Sequence, residues 1–392
     1  MKLFPYAFFF FAYYGYVGIF SPFGSLYFAA QGMSPAQIGI IMAVVQGTRI
    51  IGPNVWGALA DARGARVRIL RYTAVLALAA FACMFWAQGF LAFLLLMLLI
   101  NTFTSASGPL SEAALVGALK ENLNQFGRLR LWGSVGFIVT VTAAGKLLEV
   151  WGIQSFVALC CAMLLLVVAS AWTLRETPLP PVARNKTSFT SLLRLREVQA
   201  FLASACLMVM AHSALYVFYS LFLEQLGFSK LVIGLMWSLG VVAEIVFFFF
   251  QAPLFARLGL RLLMLGSLAL AVLRFLMIGV AQPGIVGLVL LIIAQILHAA
   301  TFGVHHSSCV QQLQRWFGGA LQARGQALYV SMSYGLGGTL GGILLGPCWE
   351  AGGAHMVFFV AAGMSGAGLA LAWLSLRWQA QRDRALRLQK RA

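Results

Sequence analysis

The sequence predicts an all-α membrane protein in which twelve helices cross the bilayer in two halves of six. Hydrophobic residues make up 61% of the 392-residue chain and charged residues only 9%, which leaves too little polar surface for a soluble domain. Apolar runs of about 18–25 residues recur along the chain, and each can cross about 30 Å of hydrocarbon. An internal repeat is also present, because Gly32-Met-Ser34 recurs as Gly227-Phe-Ser229, 195 residues later.

Each apolar run is predicted to be a helix, because a helix satisfies its own backbone hydrogen bonds in lipid. No alternation over about ten residues indicates the strands of a barrel. The first run is too long for the apolar region of a cleaved signal peptide and is interrupted by Gly, Pro and Tyr. We number the predicted runs as spans 1–12: 5–29, 37–60, 69–87, 89–117, 130–150, 154–174, 198–223, 230–254, 262–280, 284–309, 326–348 and 355–376.

The distribution of positive charge predicts the orientation. The net charge is +17, and 23 of the 27 Lys and Arg residues lie at the N-terminus, in five alternate loops or in the C-terminal tail. Such an excess is typical of cytoplasmic loops, so we expect a cell inner-membrane protein with both termini in the cytoplasm. The charge is therefore no sign of a nucleic-acid partner. The basic tail could also lie on anionic lipid headgroups.

The longest polar segment separates two predicted bundles. Pro178, Pro180 and Pro181 are followed by a basic stretch, and six spans separate equivalent points of the repeat. Such a parallel repeat relates two halves by a pseudo-twofold axis along the membrane normal. The predicted domains are an N-terminal bundle (1–174), a cytoplasmic loop (175–197), a C-terminal bundle (198–376) and a basic tail (377–392). The six cysteines lack metal-type spacing and are expected to act as small hydrophobes.

The loop between spans 2 and 3 carries a motif, Gly57-Ala-Leu-Ala-Asp61-Ala-Arg63-Gly64-Ala-Arg66. It resembles the signature loop of the major facilitator superfamily, with one arginine a place later than usual. Asp61 can accept hydrogen bonds from Arg63, Arg66 or a neighbouring helix N-terminus. We expect these three residues to form a gate that latches the two halves in one state. A loop charge satisfied locally is the alternative.

Four further segments lie in spans 5, 8, 9 and 10: Gly127-Arg-Leu-Arg-Leu-Trp-Gly-Ser-Val-Gly136-Phe, Gly227-Phe-Ser through Leu239-Gly-Val-Val-Ala-Glu244, Arg274-Phe, and Gln295-Ile-Leu-His298 through His305. With them the chain resembles, over nearly its full length, the phenylpropionate permease group, relatives of the lactose permease type of proton symporters. The resemblance implies proton-coupled symport of a small organic, phenylpropionate-like carboxylate by alternating access. A sugar or nucleoside importer, or a drug or metabolite exporter, of the same fold is the alternative.

The remaining expectations concern partners. The protein is expected to bind a small-molecule substrate and protons, to lie in membrane lipid and to be a monomer. We expect no cofactor and no metal, because no carboxylate or cysteine has supporting spacing. An enzyme is not expected either, since no nucleophile or metal site has convincing spacing.

Charged residues inside the spans are the first candidates for a transport site, because a charge at the bilayer centre is costly unless it faces a cavity or a partner. Glu244, in span 8, could carry the coupled proton or be a fixed partner of an arginine. Arg274, in span 9, could bind a substrate carboxylate in bidentate fashion or pair with Glu244 and expel its proton. Arg49, the repeat equivalent of Glu244, could anchor the carboxylate or pair with Glu112 or Glu244.

Histidines in span 10 are candidates for proton coupling. His298 and His305 lie seven residues apart, with Thr301 between them on one helical face. Either histidine could relay protons or donate to substrate, and an interhelix hydrogen bond is the alternative. The lactose permease type carries an acid, an arginine and a histidine on helices 8, 9 and 10. Glu244, Arg274 and His298 resemble that set in helix placement only.

A polar stripe is predicted along span 4. Its members are spaced 4, 3 and 4 residues apart: Asn101, Ser105, Gly108 and Glu112. Such spacing puts them on one helical face, which we expect to line the cavity. Glu112 could instead hold Arg128 or Arg130 as an inner gate.

Aromatic residues complete the predicted substrate site. Tyr13 in span 1, Tyr216 in span 7 and Trp237 in span 8 would suit an aromatic or amphipathic ligand. Tyr13 belongs to a predicted aromatic face that also contains Phe9, Tyr16, Phe20 and Phe23. Contact with lipid or another helix is the alternative for each single aromatic residue.

Overall fold

The computed structural model describes residues 3–119, 125–176, 190–317 and 321–389, and all regular structure in these ranges is helical. Ten helical runs among them are long and apolar enough to cross a membrane. They are α1 (Phe4–Ala30), α2 (Pro35–Arg63), α3 (Arg66–Phe85), α4 (Gly89–Leu119), α5 (Phe126–Trp151), α6 (Ile153–Thr173), α7 (Arg196–Gln225), α8 (Lys230–Gly279), α9 (Ile285–Trp316) and α10 (Arg324–Gln389). Residues 177–189 of the predicted central loop and 390–392 of the predicted tail lie outside the described ranges.

Two of the runs are interrupted by a glycine. The 50 residues of α8 would extend roughly 75 Å as one straight helix, far beyond a bilayer of about 30 Å. Gly259 breaks α8 with φ 74° and ψ 159°, and Gly353 breaks α10 with φ 78° and ψ 176°. Both φ values favour glycine, which has no side chain to clash. We call 230–258 and 260–279 the first and second arms of α8, and 324–352 and 354–389 the arms of α10.

The repeat in the sequence corresponds to repeated backbone features. Ser34 caps α2, because its Oγ accepts the Gln37 N–H at 3.4 Å while Gln37 Oε1 accepts the Ser34 N–H at 3.0 Å. Ser229, 195 residues later, caps α8 by accepting a backbone N–H three residues on at 3.4 Å. Gly64, which ends α2 with φ 56°, corresponds in the same way to Gly259.

Three π-helical segments interrupt the C-terminal half, which comprises α7–α10. They are Ala214–Phe218 in α7, Ala299–Val304 in α9 and Ser331–Gly337 in the first arm of α10. The described part of the N-terminal half, α1–α6, has none. Because π-helical turns are rare and frequently occur at functional sites, these segments draw attention to the C-terminal half.

Aromatic packing holds the centre of the N-terminal half. Tyr16 and Phe20 of α1 pack edge-to-face against Phe81, and Phe20 also contacts Phe156. The predicted aromatic face of α1 therefore lies mostly in the core: Phe9, Tyr16, Phe20 and Phe23 are buried.

Glycines allow the two halves to approach closely along two seams. In the first seam α2 packs on the first arm of α10, where Gly39 meets the backbone of Gly342. In the second seam α5 packs on the first arm of α8, where a β-carbon at Gly234 would come within 2.6 Å of the Val141 carbonyl oxygen. Gly39 and Gly234 are repeat equivalents, so both halves use the same position to reach the other half.

Two carboxylates reinforce this end of the molecule, and we call them the carboxylate clasps. Glu350, in the first arm of α10, accepts the Ala36 N–H in the first turn of α2 at 3.0 Å. Glu149, at the end of α5, accepts the Leu231 N–H in the first turn of α8 at 3.4 Å. Carboxylates are favourable at a helix N-terminus, where backbone N–H groups carry partial positive charge. Ala36 and Leu231 are again 195 residues apart.

The described contacts between α2 and the first arm of α10 end on the other side of these seams, and we call the space beyond them the cleft. Contacts between α2 and α10 reach as far as Ile50, which packs on Gly335. Beyond that point the apolar side chains of Ile51 and Val55 are 65% and 52% exposed. The cleft opens toward the end of α2 that carries Asp61 and the arginine-rich loop.

Candidate functional site

Arg274 lies inside the C-terminal half, between the second arm of α8 and α9. Only 1% of the residue is exposed. Its guanidinium donates four hydrogen bonds to neutral acceptors: Ala294 O (2.7 Å), His298 Nδ1 (3.0 Å), Thr301 Oγ1 (2.9 Å) and Gln295 Oε1 (3.1 Å). Within the described ranges no carboxylate contacts it. A buried cation is costly without partners, so these four acceptors hold Arg274 in place.

The hydrogen bond from Arg274 determines which ring nitrogen of His298 carries the hydrogen. An arginine can only donate, so His298 Nδ1 accepts and the proton of the neutral ring is on Nε2. The ring stacks on Phe302 at 5.3 Å and packs beside Gly240, one helical turn before Glu244. A proton can reach Nδ1 only if the contact with Arg274 breaks.

His305 is enclosed by bonds of a different kind and is 4% exposed. Ser267 Oγ uses its own hydrogen on the Met264 carbonyl, so His305 Nδ1 donates to Ser267 Oγ at 3.2 Å. Its Nε2 lies 3.4 Å from Cys309 Sγ. Both nitrogens are therefore engaged within the protein, an arrangement typical of a histidine that joins two helices.

Glu244 lies on the first arm of α8 and is half-buried. Its Cγ is 3.6 Å from where a β-carbon on Gly303 would lie, so the carboxylate arm packs on the π-helical segment of α9. No hydrogen bond or ion pair is found for it in the described part of the chain, and Arg274 is not in contact with it. It interacts at longer range with the charge of Arg130 and lies near the neutral Tyr216.

Arg49 contrasts with Arg274 because it is exposed. It forms no ion pair with Glu112, Glu244 or any other carboxylate of the described residues. Its charge acts electrostatically on Tyr13 from the N-terminal half and on Tyr216 from the C-terminal half. This arginine therefore faces the cleft between the halves with its donors available.

Of the two arginines predicted as possible partners of Glu112, Arg130 pairs with it and Arg128 does not. Arg130 Nε donates to Glu112 Oε1 at 3.1 Å, a second nitrogen donates to the Tyr14 hydroxyl, and the guanidinium lies 4.0 Å from the centre of the Tyr14 ring. Arg128 is exposed. These arginines are two positions apart on α5, so they point in different directions, and spacing alone does not choose between them. Tyr14 was missed, although its position beside Tyr13 indicated an aromatic cluster.

The predicted polar stripe of α4 does not form one continuous face. The helix is interrupted at Ser105 and Ala106, between Gly89–Thr104 and Ser107–Leu119. Asn101 is 7% exposed and its amide donates to the Met97 carbonyl of its own helix at 2.8 Å. The predicted substrate contact of Asn101 is therefore absent from this conformation.

The motif loop after α2 forms a local ion pair. Arg66 donates to Asp61 through two of its nitrogens. Arg63 is exposed in the last turn of α2, where a cation interacts favourably with the helix dipole. All three predicted gating residues thus lie at the open end of the cleft, and Asp61 is paired within its own half.

The predicted aromatic residues fall into two groups. Tyr13 stacks on Phe9 at 6.2 Å beside Tyr14 in the N-terminal half. Tyr216 and Trp237 stack at 6.4 Å in the C-terminal half, and Trp237 Nε1 donates to Ser220 Oγ at 3.0 Å. Both groups adjoin the cleft region, so together with Arg49 and Glu244 they define a mixed aromatic and charged site.

The comparisons with known proteins agree with this architecture. Residues 3–360 match the model of the MFS_1 like family, where MFS stands for major facilitator superfamily. The "Probable 3-phenylpropionic acid transporter" of Escherichia coli strain K12 is 32% identical over 334 residues, which cover 83% of this chain and 86% of the relative. The maltose permease of Geobacillus stearothermophilus is 28% identical over 363 residues, 90% of each chain.

Solved structures show the same fold. The crystal structure of the nucleoside transporter NupG is similar with a TM-score of 0.81 and 21% identity, and the match covers 96% of this chain and 98% of that one. A bacterial homologue of the human lysosomal transporter Spinster, in an inward-facing and unoccupied conformation, is similar with a TM-score of 0.66 and 14% identity over 96% of this chain and 95% of the other.

Proposed function

The chain belongs to the MFS_1 like family, and from this premise we propose that it is a proton-coupled symporter that imports a small aromatic carboxylate. Its relatives are named as transporters and permeases, and none of these names is that of an enzyme. The observation that carries the proposal is a pair of opposite charges without protein partners among the described residues. Arg49 and Glu244 face the cleft from different halves, and both act electrostatically on Tyr216.

The proposed topology has twelve crossings. Each broken run, α8 and α10, crosses twice when its two arms are counted separately, which adds two to the ten runs. The repeated caps and seams support a six-plus-six arrangement about an axis along the membrane normal. The arginine-rich loops support a cytoplasmic location for both termini. With that orientation the cleft opens to the cytoplasm and the carboxylate clasps close the outer side.

Arg49 is the proposed anchor of the substrate carboxylate. Of the two arginines near the middle of a span, Arg49 and Arg274, it is the exposed one, and an arginine presents a planar fork that matches a carboxylate. Arg274 already donates to four neutral acceptors. To bind substrate directly it would have to break some of these bonds, so its proposed role is to position His298.

Glu244 is the proposed carrier of the proton. It is half-buried against Gly303, and no cation contacts it. Protonation of the carboxylate therefore breaks no ion pair. In the proposed cycle Glu244 takes a proton from the outer side and the substrate carboxylate binds Arg49. The halves then rock about the site, and proton and substrate leave toward the cytoplasm.

Uptake by the purified protein in proteoliposomes tests this function. An inward proton gradient should drive accumulation of 3-phenylpropionate, and an uncoupler should abolish it. Glu244→Gln should abolish accumulation yet permit exchange of substrate down its gradient. Glu224→Gln is the matched control, because Glu224 pairs with Lys230 away from the cleft. Accumulation that persists in Glu244→Gln would refute the proton role, and accumulation of neutral sugars or nucleosides alone would refute the carboxylate.

A further inference from the structure

A recess lies inside the C-terminal half, next to the proposed site. It is bounded by α7, α9 and the first arm of α10, and its cavity volume is about 10 Å³, close to the space that one water molecule needs. One aromatic residue from each π-helical segment lines it: Tyr216, Phe302 and Tyr334. A cavity of this size admits one water-sized group, such as a hydroxyl, and not a whole ring.

His212 provides an unused hydrogen-bonding atom in the wall of this recess. The residue is 2% exposed, and its Nδ1 lies 2.8 Å from the Met208 carbonyl oxygen. Because a carbonyl can only accept, Nδ1 carries the hydrogen, and Nε2 of the neutral ring is an acceptor. This Nε2 is buried and has no hydrogen-bond partner. A buried acceptor left without a donor costs about 1–3 kcal/mol, so a donor is expected there when the site is filled.

The surroundings of His212 indicate which kind of donor fits. Aromatic rings enclose it, with ring centres of Phe275 and Phe302 at 5.4 and 6.4 Å. The nearby charge is the Arg274 cation, which acts on His212 and has no carboxylate in contact among the described residues. A ligand cation would be repelled by Arg274, and a carboxylate would face the lone pair of Nε2. A neutral donor such as a hydroxyl meets neither obstacle.

We propose that the recess receives a hydroxyl carried by the ring of the substrate and that His212 Nε2 accepts a hydrogen bond from this hydroxyl. The substrate class is then a ring-hydroxylated aromatic carboxylate, and His212 is the residue that selects it. This inference rests on the proposed function, which places the carboxylate at Arg49. The hydroxyl end is recognised in the C-terminal half and the acid end from the N-terminal half, so one ligand contacts both.

Calorimetric binding to the purified full-length protein tests the inference with three probes. They are 3-phenylpropionate, its ring-hydroxylated analogues, and the matching methyl ethers, which keep the oxygen but lose the donor. At least one hydroxylated acid should bind about 3- to 10-fold more tightly than 3-phenylpropionate, the range for one neutral hydrogen bond. Its methyl ether should lose that advantage. This comparison uses only the unsubstituted protein, so it does not depend on whether a variant folds.

A pair of histidine variants then tests whether His212 is the residue that binds the hydroxyl. His212→Phe should abolish the preference and leave the affinity for 3-phenylpropionate unchanged within about twofold. His355→Phe is the matched control, because His355 Nδ1 also donates to a backbone carbonyl, Gly279 O, at 2.8 Å, but outside the recess. This variant should keep the preference.

The other outcomes separate two kinds of failure. If 3-phenylpropionate binds but no hydroxylated acid is preferred, the recess holds water only and this inference falls, whereas the proposed function stands. A preference that survives in His212→Phe, or a loss of affinity for 3-phenylpropionate itself in that variant, also overturns the inference. If none of the acids binds, the proposed function fails, and the inference fails with it.

Discussion

Arg49 and Arg274 carry the same charge inside the spans, but their surroundings differ. Arg274 is buried with four neutral acceptors, so Arg274→Gln should leave several of them unsatisfied and lower the free energy of unfolding by about 1–3 kcal/mol. Arg49→Gln should leave stability unchanged, because no protein partner is lost, and should weaken carboxylate binding. Thermal melting of both variants with and without 3-phenylpropionate measures the difference. Equal melting temperatures would contradict the assigned roles.

Arg130 and Arg128 make a second comparison of single residues. Arg130 contacts Glu112 and Tyr14, whereas Arg128 is exposed. We therefore expect Arg130→Gln to lower the melting temperature and the uptake rate, and Arg128→Gln to change both only slightly, since exposed substitutions usually have small effects. The same two assays on matched protein preparations measure this. An Arg128→Gln defect as large as that of Arg130→Gln would contradict the assignment of the gate to Arg130.

At the scale of helices, the glycine seams fix how closely the halves approach. A β-carbon on Gly234 would meet the Val141 carbonyl oxygen at 2.6 Å, and a backbone atom cannot move aside cheaply. Gly234→Ala should therefore separate α5 from α8 and lower the melting temperature. Gly266→Ala, in the second arm of α8, meets no atom within 4 Å and should stabilise by up to about 1 kcal/mol through helix propensity. The two substitutions should therefore change the melting temperature in opposite directions. An equal decrease in both variants would contradict the close packing at the seam.

At the scale of helices, some features could be predicted from the sequence and others could not. Predicted spans 8 and 9 coincide with the arms of α8, and spans 11 and 12 with those of α10, because long apolar runs and turn glycines are local signals. The sequence could not show which of Arg49 and Arg274 is available to bind substrate, because the burial of each depends on which neighbouring helix its own helix face packs against. The recess was also beyond prediction, because a π-helical segment leaves no clear trace in hydrophobic periodicity. Among the residues that line the recess, Tyr216 and His305 were predicted site residues.

At the scale of the whole molecule, the carboxylate clasps hold one side closed. Each should contribute about 0.3–1 kcal/mol, so loss of both should shift the balance between open and closed states roughly 3- to 30-fold. We expect Glu149→Gln combined with Glu350→Gln to expose Cys348, in the first arm of α10 beside the seam. Labelling of Cys348 by an impermeant maleimide, with the other five cysteines changed to serine, measures this shift.

The control for the clasps is Glu224→Gln, a carboxylate at the same end that pairs with Lys230 inside one half. It should not change the labelling rate. If the double variant is labelled no faster than this control, the clasps do not hold the halves together. Faster labelling of both variants would point to a general loss of stability instead.

The offset between the two copies grows by six residues from α8 to α10, and the two π-helical segments in that stretch, in α9 and in the first arm of α10, supply two of the six. Each wide turn holds one residue more than an α-helical turn, so the second copy contains positions for which the first has no counterpart. Ala36 and Leu231 are 195 residues apart, but Glu149 and Glu350, which make the matching contacts, are 201 apart. An alignment of the two copies at a constant offset of 195 residues therefore no longer pairs equivalent residues in α10. Chimeras that exchange helices between the copies should be spliced at the matched contacts rather than at a constant interval.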